Sequence, residues 1–403
     1  MNALIAIVGC GPAGSATALE LLNLGVDPGD ILMLDRATFP RPKLCGGGVT
    51  WRGTQTLIEL LGAQPTGGSA TQGLVLSCEH VGSLTIREPG PQWLYDRAHI
   101  DNLLLEACRA RGIRILEATP LTDFHERVDG WELKAGHSTL RSRWLVGADG
   151  AGGSVRRLAG LSGGHTGRLV EAVYEPVGHE PDPDWLQFSF DPLLENIRGY
   201  GWIFPYPLPD GQMYWKLGIM DGVGKTPGKA LRDWTARFAQ RSGFRMLDDR
   251  IHGWPERYFS RHARAHRPGL ILVGESWGID ALLGEGIAPS LAMGRYGARR
   301  LREVLDNGRF VIGDYEKRFL FTEEGWNLYF HEFLAQRLYG QGSLRWLNVL
   351  LNSPRLRDLG ATGRAAYGRL ARNWRPMLAA LGGHVLRHGL PLPDLPDSAH
   401  APA

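Results

Sequence analysis

The chain has 403 residues, 43% of them hydrophobic and 22% charged, with a formal net charge of +3. That length supports two or three packed units and a large core, and so small a charge excludes a global field for nucleic acid, so no such partner is expected. Apolar runs are too short to span a bilayer, no secretory signal is expected, and Cys10, Cys45, Cys78 and Cys108 lack metal-ligand spacing, which predicts reduced thiols in a cytoplasmic protein without a metal site.

The first apolar run, Ile5 to Val8, predicts a buried strand. Gly9, Gly11 and Gly14 then fall on G-x-G-x-x-G, with Pro12 and Ala13 between them, and Ser15 to Leu24 predicts the following helix. In this pattern the first glycine allows a tight turn, the second lets a pyrophosphate approach the backbone, and the third lets helix and strand pack closely. The helix N-terminus offers free N–H groups to the phosphates. Ile31 to Leu34 predicts the second strand, and Asp35 closes it 21 residues after Gly14. A carboxylate there accepts from the ribose hydroxyls of an adenine dinucleotide.

Residues 36–48 carry two prolines and a run of three glycines, so they form a loop, bearing Arg36, Arg41, Lys43 and Cys45. A helix is expected over 51–62, strands over 74–88, a helix from Tyr95 to Arg111 and a strand over 114–118. Val128 to Lys134 and Ser138 to Arg143 predict a hairpin, and Trp144 to Val146 a buried strand ending in Asp149-Gly150. From about 166 the texture becomes aromatic-rich strands: 169–173, 185–190, 200–205 and 213–220. A buried strand returns at Leu270, and Gly284-Glu285-Gly286-Ile287 opens a helix through Arg300. The segment 311–388 reads as mostly helical. The expected organisation is a discontinuous nucleotide domain (1–75, 96–165, 262–310), a β-rich domain (76–95, 166–261), a helical region (311–390) and a disordered tail (391–403).

Four separated patterns agree: Gly9 to Gly14 with Asp35; Arg97 with Asp101; Asp149-Gly150 with Ser154 and Arg156; and Gly274-Glu275 with Gly284 to Ile287. Together they resemble the FAD-dependent family of aromatic hydroxylases, flavin halogenases and geranylgeranyl reductases over roughly residues 1–300. The resemblance is greater to geranylgeranyl reductases, whose P-x-x-K-x-C-G-G-G loop is met by Pro40, Lys43, Cys45, Gly46, Gly47 and Gly48. Their Y-x-W-x-F-P pattern is met by Tyr200, Trp202, Phe204 and Pro205. The resemblance implies an α/β fold with a Rossmann-like FAD-binding domain of the glutathione reductase and p-hydroxybenzoate hydroxylase type, an inserted β-rich substrate domain and a helical C-terminal region. It implies bound FAD, and saturation of double bonds in a hydrophobic prenyl chain or lipid. Two departures stand out: the third flavin motif, usually G-D-A-A-G, reads Gly274-Glu275-Ser276-Trp277-Gly278, and Asp280 to Leu283 lacks the proline usual before the glycine turn.

The resemblance puts Arg97 near the FAD phosphates and ribityl chain, and Glu275 on the ribityl chain through a hydroxyl. Gly284 to Ile287 would set a helix N-terminus against the pyrimidine edge of the flavin, where its dipole favours negative charge. Alkene reduction needs a hydride, which reduced flavin supplies, and a proton. Cys45 is a candidate proton donor or alkene-positioning group, with Lys43 and Arg41 expected to lower its pKa. Tyr200, Trp202 and Phe204 are candidates for an apolar wall around the substrate. Only one dinucleotide fingerprint is visible, so the electron donor is NADPH bound transiently elsewhere, or a redox protein.

Residues 337–387 hold nine arginines and one acid, Asp358, with an apolar cluster (Trp346, Leu347, Val349, Leu350, Leu351) that reads as exposed. Such a surface suits peripheral contact with anionic lipid at the inner face of a membrane. The competing readings are a hydroxylase, a halogenase, and a non-catalytic prenyl-binding protein such as the guanine-nucleotide dissociation inhibitors. The absence of lysine between Lys43 and Lys134 argues against the halogenase, whose mechanism needs one before the aromatic motif.

Overall fold

The computed structural model describes residues 2–178, 180–208, 212–247 and 250–393. Two sheets organise them. The first runs His266–Arg267, Leu270–Leu272, Ser138–Gly147, Asn2–Val8, Ile31–Leu34, Arg114–Leu116, with Leu121–Arg127 and Gly130–Ala135 joined to Ser138–Gly147. The Asn2–Val8 strand pairs in parallel with Ile31–Leu34 and Ser138–Gly147. Both its neighbours shield it and helices cover the sheet, which is why Ile5, Ala6 and Ile7 are fully buried and the run shows no alternation. No breaker separates Arg143 from Trp144, so the expected hairpin arm and buried strand are one continuous strand, Ser138–Gly147.

The fingerprint helix Pro12–Asn23 packs against the returning helix Ile287–Asp306. Small residues set their distance: a Cβ on Gly294 would lie 2.4 Å from the Ala13 carbonyl oxygen. Residues 281 apart in sequence, Ala13 and Gly294, thus meet in one wall of the nucleotide domain.

The second sheet has nine strands: Phe244–Met246, Thr166–Pro176, Met213–Asp221, Gly199–Pro207, Trp185–Ser189, Gly68–Cys78, Gly82–Tyr95 and Gly48–Val49 in order, with His252–Arg257 also on Thr166–Pro176. The whole of Gly68–Cys78 belongs to it, so the division expected at 75/76 falls inside a strand. One face is sealed by the helix Gly228–Arg241, absent from the sequence reading, through Leu231, Trp234 and Phe238 against Trp215, Leu217 and Ile219. The other face holds a cavity and, beyond it, the C-terminal helices.

Those helices correct one expectation. Leu347, Val349 and Leu351 are fully buried rather than exposed, because Ser343–Asn352 turns them onto the Gly82–Tyr95 strand. Trp346 and Leu350 pack at the rim of the same core. Residues 394–403 of the expected tail lie outside the described residues.

Candidate functional site

At the fingerprint the glycines divide their work. Gly9 has φ +102°, and a Cβ on it would lie 2.3 Å from the Ala148 carbonyl oxygen. A Cβ on Gly14 would lie 1.9 Å from the Gly9 carbonyl oxygen, so Gly14 is the helix–strand contact and does not line the cavity. Gly11 faces open space, with only the Arg41 Nη2 within reach, 3.4 Å from an added Cβ. The helix it opens has Pro12 in its first turn and no side-chain cap, which leaves early N–H groups for an anion. Asp35 is held by two backbone donors, Cys10 N–H at 2.8 Å and Ala37 N–H at 2.9 Å, and it lines the cavity with exposed Arg36 beside it.

Arg97 is buried and grips Asp101 through two parallel bonds, Nε to Oδ1 at 2.9 Å and Nη2 to Oδ2 at 2.8 Å. Burial alone would lower its pKa, but the Asp101 carboxylate and the Cys45 sulfur more than offset this and hold it charged. Arg41 joins Asp101 at 3.2 Å, and both arginines line the cavity. Arg41, expected from the sequence only to act on Cys45, thus also stands at the groove.

Asp149 lines the cavity too, but its Oδ2 takes the Val155 N–H at 2.9 Å, so it also caps the short helix Ser154–Leu158. Gly150, beside it, has φ +79° and lines the same wall. Gly274 does not line the cavity; its φ is +61°, and a Cβ there would come 2.5 Å from Ala13 Cβ. Glu275 does line it, with Lys43 Nζ at 3.6 Å as its partner, while Lys43 lies 4.6 Å over the Trp254 ring. Trp277, the departure from the usual motif, does not line the cavity; it stacks on Tyr315 and packs at a tilt against Phe319 in the core.

The turn before Ile287–Asp306 is built by Asp280, a residue outside the predicted site. It is 1% exposed, and its two oxygens take the N–H groups of Leu282 (2.8 Å), Leu283 (3.1 Å) and Glu285 (3.2 Å), the Tyr367 hydroxyl, and His331 Nδ1 at 2.9 Å. Burial pushes its pKa up, but His331 and these donors win, and it stays below the usual carboxylate range. The turn presents Gly284, Glu285, Gly286 and Ile287 to the cavity, and the helix has no side-chain cap. Glu285 takes the Thr50 N–H at 3.1 Å; burial, then Glu324, pushes its pKa up to about 8.

The cavity, of about 630 Å³, continues from these groups into an apolar half. Alternation along Gly199–Pro207 turns Tyr200, Trp202 and Phe204 to the cavity and Gly201 and Ile203 to the covering helix. Phe188 packs edge-on against Tyr200 and Phe204, with ring centroids 5.2 and 5.1 Å apart. Leu74, Leu169, Leu186 and Met220 complete the wall. A Cβ on Gly46 would lie 2.6 Å from the Phe204 ring, so the glycine loop sits directly on the aromatic wall. Gly47 has φ +82°, and its N–H approaches Cys45 Sγ at 3.3 Å.

Cys45 is the junction. Its N–H donates to Glu171 at 3.0 Å, and its carbonyl accepts from Lys216 Nζ at 2.7 Å. Arg97 is a cation in contact with its sulfur, while Lys43 pairs with Glu275 and Arg41 with Asp101. Two buried carboxyls that the sequence reading missed, Glu171 and Glu256, also line this half. Their only signal was a charge at an inward position of an alternating strand.

The fit to a flavin dinucleotide rests on this geometry: two uncapped helix N-termini, Gly11 facing open space, and a ribose-end carboxylate open on one continuous cavity. Comparison with known proteins agrees. Residues 2–187 match the FAD binding domain family. A menaquinone reductase of Mycobacterium tuberculosis is 28% identical over 334 residues, 75% of this chain and 76% of the relative. Digeranylgeranylglycerophospholipid reductase 1 of Methanopyrus kandleri is 26% identical over 336 residues, 75% of this chain and 81% of the relative. Among solved structures, a geranylgeranyl bacteriochlorophyll reductase-like protein from Thermoplasma acidophilum superposes with a TM-score of 0.76 at 17% identity, covering 95% of this chain and 98% of that one, which shows the shared fold. Residues 2–187 thus carry the match to an FAD binding domain, and the protein is an FAD-dependent oxidoreductase.

Proposed function

We propose that this protein reduces carbon–carbon double bonds of an isoprenoid-like hydrophobic substrate. The observation that carries the reading is one cavity that joins the dinucleotide groove to an aromatic wall, with Cys45 at the junction. The reductases named among its relatives support the same substrate class.

FAD, when bound, supplies the hydride. The residues that would hold it are Gly11 and the N–H groups behind it for the pyrophosphate, Asp35 for the ribose, and Arg41 and Arg97 for the negative charge. Glu275 and Lys43 would face the ribityl region, and the N–H groups at Gly286 and Ile287 the pyrimidine edge. The dipole of the 20-residue helix there stabilises negative charge. Tyr200, Trp202 and Phe204 exclude water and set the alkene against the glycine loop, and Cys45 positions it there. The transient electron donor in this reading is NADPH or a redox protein. A lipid substrate also gives the arginine-rich segment a role at anionic headgroups. Arg355, Arg357 and Arg387 form no salt bridge among the described residues, where no helix is long and apolar enough to cross a membrane.

The test is product mass. Protein reduced chemically without oxygen is given a geranylgeranyl lipid or diphosphate, and gain of hydrogen pairs is expected. No gain, with an oxygen atom entering an aromatic substrate once air and NADPH are admitted, overturns the proposal in favour of a monooxygenase.

A further inference from the structure

Saturating an isolated alkene takes a proton as well as a hydride, and an acid must stand within the dry half of the cavity to give it. Glu256 meets the geometric conditions. It lies on His252–Arg257, where the two-residue repeat turns Trp254 and Glu256 to the same cavity. It is 8% exposed and forms no salt bridge among the described residues. Two neighbours fix where its carboxyl points. A Cβ on Gly284 would lie 3.0 Å from Glu256 Oε2 and 3.2 Å from the Tyr200 hydroxyl. The carboxyl therefore stands between the turn that would face the flavin ring and the aromatic wall. Glycine at 284, with φ +70°, leaves the space open.

We propose that Glu256 is the proton donor to the alkene, an assignment that rests on the reductase reading above. As the π bond opens, the Glu256 O–H bond breaks and its proton bonds to one alkene carbon, the electron pair staying on the carboxylate. The other carbon would take the hydride that FAD, when bound and reduced, supplies. The carboxylate left behind offsets the positive charge developing on the substrate, and solvent water entering the cavity returns the proton. Tyr200 is not the acid: its hydroxyl donates to the Leu283 carbonyl.

The charged and titratable groups around Glu256 keep the acid form populated. Burial is the largest influence, and the carboxylates Glu275 and Asp280 add to it; Lys43 and the Tyr258 hydroxyl oppose them and lose, so its pKa stands well above the usual carboxylate value. The same field raises the Tyr200 and Tyr339 hydroxyls, which therefore stay neutral beside it. A low-dielectric site that keeps a carboxyl protonated makes it an acid at neutral pH.

The experiment compares E256Q and E256D with the wild type, each loaded with FAD and reduced by dithionite under anaerobic conditions with a geranylgeranyl lipid. E256Q is expected to retain FAD and to be reduced normally while product formation falls roughly 10²- to 10⁴-fold, the range for loss of a general acid. E256D keeps the acid and is expected to recover most of that loss; a merely structural role predicts the reverse order, because Gln preserves the shape better. Independently of turnover, wild-type-minus-E256Q infrared spectra at neutral pH are expected to show a protonated carboxyl band with and without FAD. An ionised carboxylate band there, or E256Q turnover within about threefold of the wild type, overturns the assignment and leaves the reductase reading standing. A wild type that reduces no alkene while the acid band is present overturns the reductase reading, and the donor with it.

Discussion

Replacing Asp280 by Asn tests whether the flavin-facing turn is held by a buried carboxylate. Asp280 Oδ2 serves Leu283 N–H, Glu285 N–H and the Tyr367 hydroxyl, while Oδ1 serves Leu282 N–H and His331. Asn has one acceptor oxygen and turns an amide NH₂ toward the other set. With that NH₂ on the Oδ2 side, the tyrosine hydroxyl can rotate to accept and still takes the Leu283 N–H at 2.9 Å, but the Glu285 N–H loses its acceptor. On the Oδ1 side, His331 can change tautomer, but the Leu282 N–H is stranded and the charge on the acceptor is lost. Either way one buried backbone N–H is left unsatisfied, at roughly 1–3 kcal/mol, and the remaining bonds lose a charged acceptor, so either outcome costs about 2–5 kcal/mol. Because the turn presents Gly284 to Ile287, the cost divides between global stability and the population of the FAD-competent turn. Each ~1.4 kcal/mol on the second share weakens FAD tenfold. We expect a lower urea midpoint together with at least about tenfold weaker FAD binding, read by fluorescence titration of the apoprotein. D280N with an unchanged midpoint and FAD affinity within about threefold of the wild type would show that the carboxylate does not hold the turn.

Two further outcomes follow from particular residues. Gly11→Ala and Gly14→Ala should separate binding from folding: the first meets only a flexible arginine terminus, and should keep the urea midpoint while losing FAD affinity, whereas the second puts a methyl 1.9 Å from a backbone oxygen and should lower both. Equal behaviour of the two in denaturation would contradict the division of roles. Glu285, pushed up to about 8, binds its proton more tightly in the folded apoprotein than in the unfolded chain. Its contribution to stability therefore falls as pH rises from about 4.3, the unfolded value, through 8, and is flat beyond. Glu285→Gln should flatten that part of the stability–pH curve of the apoprotein, and an unchanged slope in urea melts across this window counts against a protonated Glu285.

The features legible in the chain alone are local in origin. Gly9 to Gly14, Asp35 and the buried strands around them are legible because a phosphate turn needs glycine at set spacings and a doubly covered strand needs an unbroken apolar run. The Tyr200, Trp202 and Phe204 wall was readable for the same reason, since a two-residue repeat puts three rings on one face. The tertiary structure alone decided the rest. Arg97 reaches Cys45 while also gripping Asp101, and Lys43 pairs with Glu275, because such contacts depend on which elements meet in the fold. The apolar residues of 346–351 became core because a sheet face lay open to receive them. Glu171, Glu256 and Asp280 were given no role from the sequence. Their roles come from burial and from neighbours far along the chain, and a one-dimensional pattern carries neither the dielectric around a carboxyl nor the donors that reach it.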